Sequence, residues 1–275
     1  MPEAPEVQTV LSTLERNIKG LTIEKAEIFY PKLIETPDPA IFCDALKGQT
    51  FQNFYRIGKY LGFELDEYDL IVHLRMEGKF YIMRDYPENL KHIHAVFFLG
   101  DCYLCYEDTR KFGRMYLYPK TENKSTLSCL KNVGLDVLDE KATGEYLYHQ
   151  IHFSQRNIKA CLLDQSIIAG IGNIYADEIL FRSKLDPRSR AYRVSKKDCD
   201  TIVYWAKKII QGAMKAGGTT IRSYTSSLGV TGRFQLQLRV HGKEDKQCPE
   251  CGTTIIKTRV SQRGTYICRK CQKRK

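Results

Sequence analysis

Four cysteines near the end of the chain have the spacing of metal ligands. Cys248 and Cys251 form one C-x2-C pair, Cys268 and Cys271 a second, and sixteen residues lie between the pairs. Each pair can turn two sulfurs towards one ion, and a β-hairpin between the pairs would bring all four to about 2.3 Å from a zinc ion. Four thiolates complete the tetrahedron, so one Zn2+ here would be structural, with no open position for a catalytic water. From Lys246 to Lys275 nine lysines and arginines face a single acid, Glu250. Four thiolates with Zn2+ contribute about −2, so the module stays basic, as a reader of a nucleic-acid groove or backbone should be. Cys102-x2-Cys105 stands alone in a strand-like run and reads as packing.

The second place where chemistry is legible is the start, Met1-Pro2-Glu3-Ala4-Pro5-Glu6. Initiator methionine is usually removed before a small residue, which would leave Pro2 as a secondary amine. That amine would lie near the positive end of a helix beginning around Pro5, where protonation is disfavoured. An ordinary α-amino group titrates near roughly 7.7 to 8.0, so a modest downward bias populates the neutral nucleophile. Glu3 and Glu6 put carboxylates beside it for proton handling.

The elements that must position these groups change character along the chain. Val7, Val10, Leu11, Leu14 and Ile18 recur at helical spacing and stop at Gly20, with Pro5 where a first-turn proline is tolerated. From about Leu21 to Tyr118, short apolar runs such as Tyr60 to Leu65, Leu70 to Leu74, Ala95 to Leu99 and Met115 to Tyr118 alternate with Gly, Asp, Asn and Pro clusters. That pattern predicts an antiparallel sandwich or barrel. Past roughly Lys131 the helical period returns. Its best case runs from Cys199 to Ala213, with Ser195 as N-cap and Gly217-Gly218 as the stop. Another helix is expected just after Gly170-Ile171-Gly172, with Asn173 at its N-terminus. The glycines there suit either a phosphate site or a turn between packed helices. The tail from about Val240 forms a third unit.

A chain of 275 residues with net charge +11 and a pI near 9.1 points to a polyanionic partner, nucleic acid or an anionic membrane surface, unless the charge is merely solvated. No apolar run approaches the roughly 18 residues of a membrane span, and the start lacks a signal-peptide pattern. An unexported protein without disulfides is therefore expected, its ten cysteines free or bound to metal.

Several motifs together resemble the formamidopyrimidine-DNA glycosylase family, the bacterial-type 8-oxoguanine DNA glycosylases. They are Met1-Pro-Glu-Ala-Pro-Glu-Val7, Gly58-Lys-Tyr-Leu61, His73-Leu-Arg-Met-Glu-Gly78, Asp108-Thr-Arg-Lys-Phe-Gly113, Gly170-Ile-Gly-Asn-Ile-Tyr-Ala-Asp-Glu178, and the cysteine tail with Gln262-Arg263. The resemblance implies an α+β multidomain fold. It would comprise a catalytic β-sandwich with an N-terminal helix over 1–131, a helix-two-turn-helix domain over 132–238 and a β-hairpin zinc finger over 239–275.

The implied reaction is excision of oxidised purines from double-stranded DNA through a Pro2 Schiff base, with strand scission by β- and δ-elimination. Glu3 resembles the family's proton donor and Glu6 a supporting carboxylate. Lys59 matches the lysine of β-elimination and phosphate contact, and Arg263 the arginine of δ-elimination. Met76, Arg110 and Phe112 match the trio that fills the gap left by an extruded base. His73 and Asn173 resemble phosphate ligands, and His92 a further DNA contact. Glu77 and the loop from Gly217 to Gln235, including Thr219, Ile221 and Tyr224, resemble the lesion pocket.

Ala4, Thr109 and Lys111 depart from the family's usual leucine, proline and arginine, flanking the chemical groups without supplying them. The family setting is a cytoplasmic, nucleoid-associated monomer acting on oxidised or abasic duplex, with no membrane. The competing readings are an endonuclease VIII-like enzyme for oxidised pyrimidines, against which the Met76, Arg110 and Phe112 set argues, and a non-catalytic zinc-finger DNA-binding protein, against which Pro2, Glu3 and Lys59 argue.

Overall fold

The computed structural model describes residues 1–219 and 234–275. The chain divides into two compact units, one holding residues 1–131 with 217–219, the other residues 132–216 with 234–275.

The first unit opens with helix α1 (Ala4–Ile18), which buries Val7, Val10, Leu11, Leu14 and Ile18, the series the helical spacing predicts. Its N-cap is Glu3, whose backbone N–H donates to Glu6 Oε2 at 2.9 Å. Then come strands β1 (Lys25–Ile28) and β2 (Ile34–Thr36), helix α2 (Pro39–Leu46), and strands β3 (Asn53–Ile57), β4 (Tyr60–Glu64), β5 (Tyr68–His73), β6 (Lys79–Met83), β7 (Ile93–Phe98), β8 (Tyr103–Glu107) and β9 (Arg114–Pro119).

They form two sheets, ordered β1-β7-β8-β6 and β2-β9-β5-β4-β3. Phe63, Leu70, Val72 and Met115 from one sheet and Phe80, Phe97, Leu104 and Tyr106 from the other belong to one buried cluster, the core of a sandwich. Two features depart from the expected run of antiparallel strands. The β2–β9 pair is parallel. And α2 interrupts the strands because Asp38 accepts the Ala40 N–H at 2.9 Å, Pro39 sits in the first turn, and Phe42 and Leu46 bury one helical stripe. Cys105 is buried in β8 and Cys102 packs against the core, as their isolated pairing suggested.

The second unit carries β10 (Leu135–Asp136), α3 (Gly144–Ile151), α4 (Ile158–Leu163), β11 (Ile168–Ala169), α5 (Asn173–Arg182), α6 (Lys196–Lys215), and the antiparallel hairpin β12 (Ile256–Val260) and β13 (Arg263–Ile267). Helix α5 starts where the glycines predicted, with Gly172 as N-cap. Ser195 and Asp198 form a reciprocal capping box on α6, the Ser195 N–H donating to Asp198 Oδ2 and the Asp198 N–H to Ser195 Oγ. Gly217 and Gly218, both at positive φ, follow its end. Among the described residues no helix is long and apolar enough to cross a membrane.

A buried polar node joins hairpin to helices. The Lys159 ammonium of α4, fully buried, lies 2.7 Å from Asp177 Oδ1 of α5 and donates to Thr265 Oγ1 at 2.8 Å and Gly264 O at 3.2 Å on β13. Asp177 Oδ2 in turn meets His241 Nδ1 at 2.8 Å. The next residue, Glu178, accepts the backbone N–H groups of Arg239, Val240 and His241, and burial raises its carboxyl pKa against those donors. Removing one partner of a buried ion pair strands the other charge. Lys159→Ala is therefore expected to lower stability by about 3–5 kcal/mol, measured by urea unfolding against the unsubstituted protein; a loss below about 1 kcal/mol would mean that water screens the pair.

Candidate active site

In this structure the terminal amine belongs to Met1, whose side chain is partly exposed, while Pro2 is buried. Burial lowers the amine's pKa; the carboxylates of Glu3 and Glu6 oppose that, the Lys59 ammonium adds to it and Glu77 opposes it, and the net direction is downward. The start of the chain, two capping carboxylates, a lysine and Glu77 thus lie within each other's fields. Removal of Met1 hands the amine to Pro2, one residue deeper. Glu6 has a second task beyond its carboxylate charge. Its Oε1 accepts the Thr219 N–H at 2.8 Å and the Thr219 hydroxyl at 3.0 Å, so Thr219 is spent on fastening the helix start.

Lys59 occupies a two-residue turn between β3 and β4, where Ile57 pairs with Tyr60. Gly58 supplies the positive φ that this turn needs at its first central position. Lys59 is itself 4% exposed. Its charge and that of Arg75 reach His73, and burial first, then these two cations, push the imidazole down to about 3. The Arg75 N–H donates to His73 Nδ1 at 3.0 Å. The neutral ring therefore carries its proton on Nε2, ready to donate.

The predicted gap-filling residues sit on two loops of this unit, 74–78 and 108–113. Phe112 is 47% exposed, an apolar ring held out in solvent, and the Arg110 guanidinium lies 4.9 Å from its centroid. Met76 is half-buried and, with Met1, Arg75, Phe112, Arg114 and Glu35, lines an open cleft of ≈ 460 Å³.

Asp108 organises the second loop. Its buried carboxylate accepts the N–H groups of Arg110 (2.9 Å), Phe112 (2.9 Å) and Gly113 (2.8 Å). Its carbonyl accepts from Nε2 of the buried His94 at 2.8 Å, and its N–H donates to the carbonyl of His92 at 2.9 Å. Tyr106 packs behind both loops. A Cβ on Gly113 would come 1.7 Å from its hydroxyl and one on Gly78 2.2 Å, so both positions must be glycine.

Asn173 and Arg263 belong to the second unit. Asn173 Nδ2 donates to Gly264 O at 3.0 Å. Arg263 is exposed at the start of β13, after a turn whose central residues, Ser261 and Gln262, both have left-handed φ near 50–60°. That conformation is costly for residues with a Cβ. Asn157 helps to hold it, donating to Ser261 Oγ at 2.9 Å while its Oδ1 caps α4.

The ligand sulfurs of Cys248, Cys251, Cys268 and Cys271 all lie within 4.8 Å of one another, with contacts of 3.8 Å and 3.4 Å across two pairs. A tetrahedron of sulfurs about 2.3 Å from zinc has edges of about 3.8 Å. The set fits one structural zinc.

Ile221 and Tyr224 lie outside the described residues. The structure brings Pro2, Glu3, Glu6, Lys59, His73, Met76, Glu77, His92, Arg110, Phe112 and Thr219 into one unit, and Asn173, Arg263 and the four ligand cysteines into the other. Sequence reasoning passed over Asp108, His94, Tyr106, Lys159 and the bonding roles of Asp177 and Glu178. Asp108 carries a signal: an aspartate opening a short polar loop that ends in glycine is a frequent acceptor for the backbone N–H groups after it. Tyr106 and Lys159 carry none, since their partners are distant in sequence.

The family model "Formamidopyrimidine-DNA glycosylase N-terminal domain" matches residues 1–115, the "Formamidopyrimidine-DNA glycosylase H2TH domain" residues 133–225, and a "Zinc finger found in FPG and IleRS" residues 245–274. A formamidopyrimidine-DNA glycosylase of Bacillus subtilis is 43% identical over all of both chains, and one of Oceanobacillus iheyensis is 43% identical over all of this chain and 99% of its own. Among solved structures, a Lactococcus lactis variant in complex with Fapy-dG containing DNA superimposes with TM-score 0.92 at 36% identity, covering 99% of this chain and all of that one. A MutM complex with carbocyclic 8-oxo-G containing DNA gives TM-score 0.91 at 37% identity, with the same coverage.

Two outcomes follow from this geometry. His73 is neutral when folded but titrates near 6.5 when unfolded, so as pH falls the unfolded chain takes up a proton that the folded chain refuses. Stability is lost from about pH 6.5 down to about 3, at about 1.4 kcal/mol per pH unit for this group. His73→Asn should remove that part of the slope, measured as urea unfolding at pH 4.5 and 7; equal slopes in the two proteins would refute the assignment. For the cysteine set, metal analysis should find one zinc per chain, with X-ray absorption giving four sulfurs at about 2.3 Å. Chelation should unfold the hairpin, and an amide spectrum unchanged by metal removal would contradict this.

Proposed function

The chain belongs to the formamidopyrimidine-DNA glycosylase family, and from that premise we propose how its residues carry out the reaction. The activity is that of a bifunctional DNA glycosylase and AP lyase of base excision repair, acting on duplex DNA that holds oxidised purines or abasic sites. Neither the pyrimidine-directed alternative nor a non-catalytic zinc-finger role is favoured, since the matched relatives carry the glycosylase name along their full length.

Pro2, freed of Met1, attacks C1′ of the damaged nucleotide and the base departs with the electrons of the glycosidic bond, protonated from the site. Loss of the amine proton and opening of the sugar give an iminium, whose positive nitrogen acidifies C2′ and permits β-elimination, then δ-elimination. Glu3 serves as proton donor to the sugar or base, with Glu6 holding the helix start beside it. Lys59 contacts phosphate and assists β-elimination, and Arg263 does so for δ-elimination. His73 donates Nε2–H to a phosphate oxygen, a role for which a neutral ring in a site crowded with cations is suited. Asn173 adds a phosphate contact and His92 a further contact to the DNA. Met76, Arg110 and Phe112 fill the gap left by the extruded base; Arg110's planar donor fork suits the acceptors of an orphaned cytosine. Glu77 and the 217–235 loop, with Ile221 and Tyr224, receive the lesion, while Thr219, whose N–H and hydroxyl are taken by Glu6, anchors the start of that loop. We assign this work to the cytoplasm of a bacterial-type cell, at the nucleoid, with the enzyme acting as a monomer.

The observation that carries this reading is the placement of the chain start, with Pro2 buried and the terminal amine, here that of Met1, held below its ordinary pKa beside Glu3, Glu6 and Lys59. Borohydride reduction during reaction with an 8-oxoguanine duplex should trap a covalent adduct that peptide mapping assigns to Pro2. Acetylating the terminus should abolish both trapping and cleavage. Full activity on chains that retain Met1, or an adduct on a lysine alone, would overturn the assignment.

A further inference from the structure

The Thr109 side chain of the 108–113 loop reaches across to the neighbouring loop: its hydroxyl donates to Glu77 Oε2. We infer that Thr109 is a positioning residue, which fixes the Glu77 carboxylate to the base-replacing loop so that lesion-pocket and gap-filling groups move as one piece. The inference deepens the functional reading above and rests on it.

Each end of this bridge is anchored. On the donor side, Asp108 holds the backbone on both sides of Thr109, through its own N–H to His92 O and its carboxylate to the N–H groups of Arg110, Phe112 and Gly113. On the acceptor side, the Gly78 N–H closes on Leu74 O at 3.0 Å and the Arg75 N–H on His73 Nδ1, which fixes the turn that presents Met76 and Glu77. Between the turns lies Tyr106, too close to Gly78 and Gly113 to admit a side chain at either. The backbones are therefore set at a fixed spacing, and the remaining freedom belongs to the Glu77 side chain, whose χ angles a single hydroxyl donor can restrict. At a position where the family commonly has proline, a residue with no side-chain donor, this chain carries one.

The consequence separates two activities of one site. Excision of a base requires Glu77 to face it, whereas cleavage at an abasic site has no base to face. Thr109 is exposed, so Thr109→Val removes the donor with little change of shape or stability. Single-turnover excision of 8-oxoguanine opposite cytosine should fall by about tenfold, with cleavage of the same duplex carrying an abasic site within about twofold of the unsubstituted protein. Thr109→Ser, which keeps the hydroxyl, should restore excision. In a Glu77→Ala background Thr109→Val should cost nothing further.

Full excision by Thr109→Val, an equal loss on both duplexes, or the same loss in the Glu77→Ala background would each overturn the inference while leaving the glycosylase reading intact. A chain without substitutions that is inactive on both duplexes would overturn that reading and take the inference with it.

Discussion

The first unit depends on burying the beginning of a helix. A helix N-terminus exposes N–H groups that have no partner within the helix, and burial makes each of them costly unless another acceptor is found. Here a reciprocal box provides it: the Glu3 side chain takes the Glu6 N–H and Glu6 Oε2 the Glu3 N–H, while Glu6 Oε1 takes the N–H and hydroxyl of Thr219. Because the box is closed and Thr219 holds Glu6, the first turn can sit buried with Pro2. The same burial that needs this buckle lowers the pKa of the terminal amine, which Lys59 lowers further and Glu3, Glu6 and Glu77 oppose.

A comparable economy governs the loops beside it. Phe112 can stay exposed because its backbone does not rely on its side chain for position; Asp108 and His94 fix the loop from beneath. Glycine at 78 and 113 is a consequence of Tyr106, whose hydroxyl end occupies the space that a side chain would take. Burial and the charges of Arg75 and Lys59 keep His73 neutral, its Nδ1 accepting the Arg75 N–H.

In the second unit the decisive groups are again buried acids. Asp177 and Glu178, adjacent on α5, face two segments: Asp177 meets Lys159 and His241, and Glu178 caps the backbone from Arg239 to His241. Their hydrogen bonds orient the hairpin that bears Arg263, with Gly264 O receiving Asn173 and Lys159. The sulfurs of Cys248, Cys251, Cys268 and Cys271 close the far end of the same module.

Groups defined by short-range spacing were legible without coordinates. The α1 stripe, the α6 caps, the glycines before α5 and the paired cysteines each depend on neighbours within a turn or a hairpin, where periodicity and backbone geometry act directly. Short apolar runs between turn clusters marked the strands and left a sandwich or a barrel open, and α2 was hidden among them by its brevity. What only the tertiary structure decided is where distant residues meet. Tyr106 against Gly78 and Gly113, Thr109 against Glu77, Glu6 against Thr219 and Lys159 against Asp177 join positions that no local pattern relates. These contacts are hydrogen bonds and close packing between chain segments, and their partners are selected by the whole folded geometry, which a linear pattern of residue types does not encode.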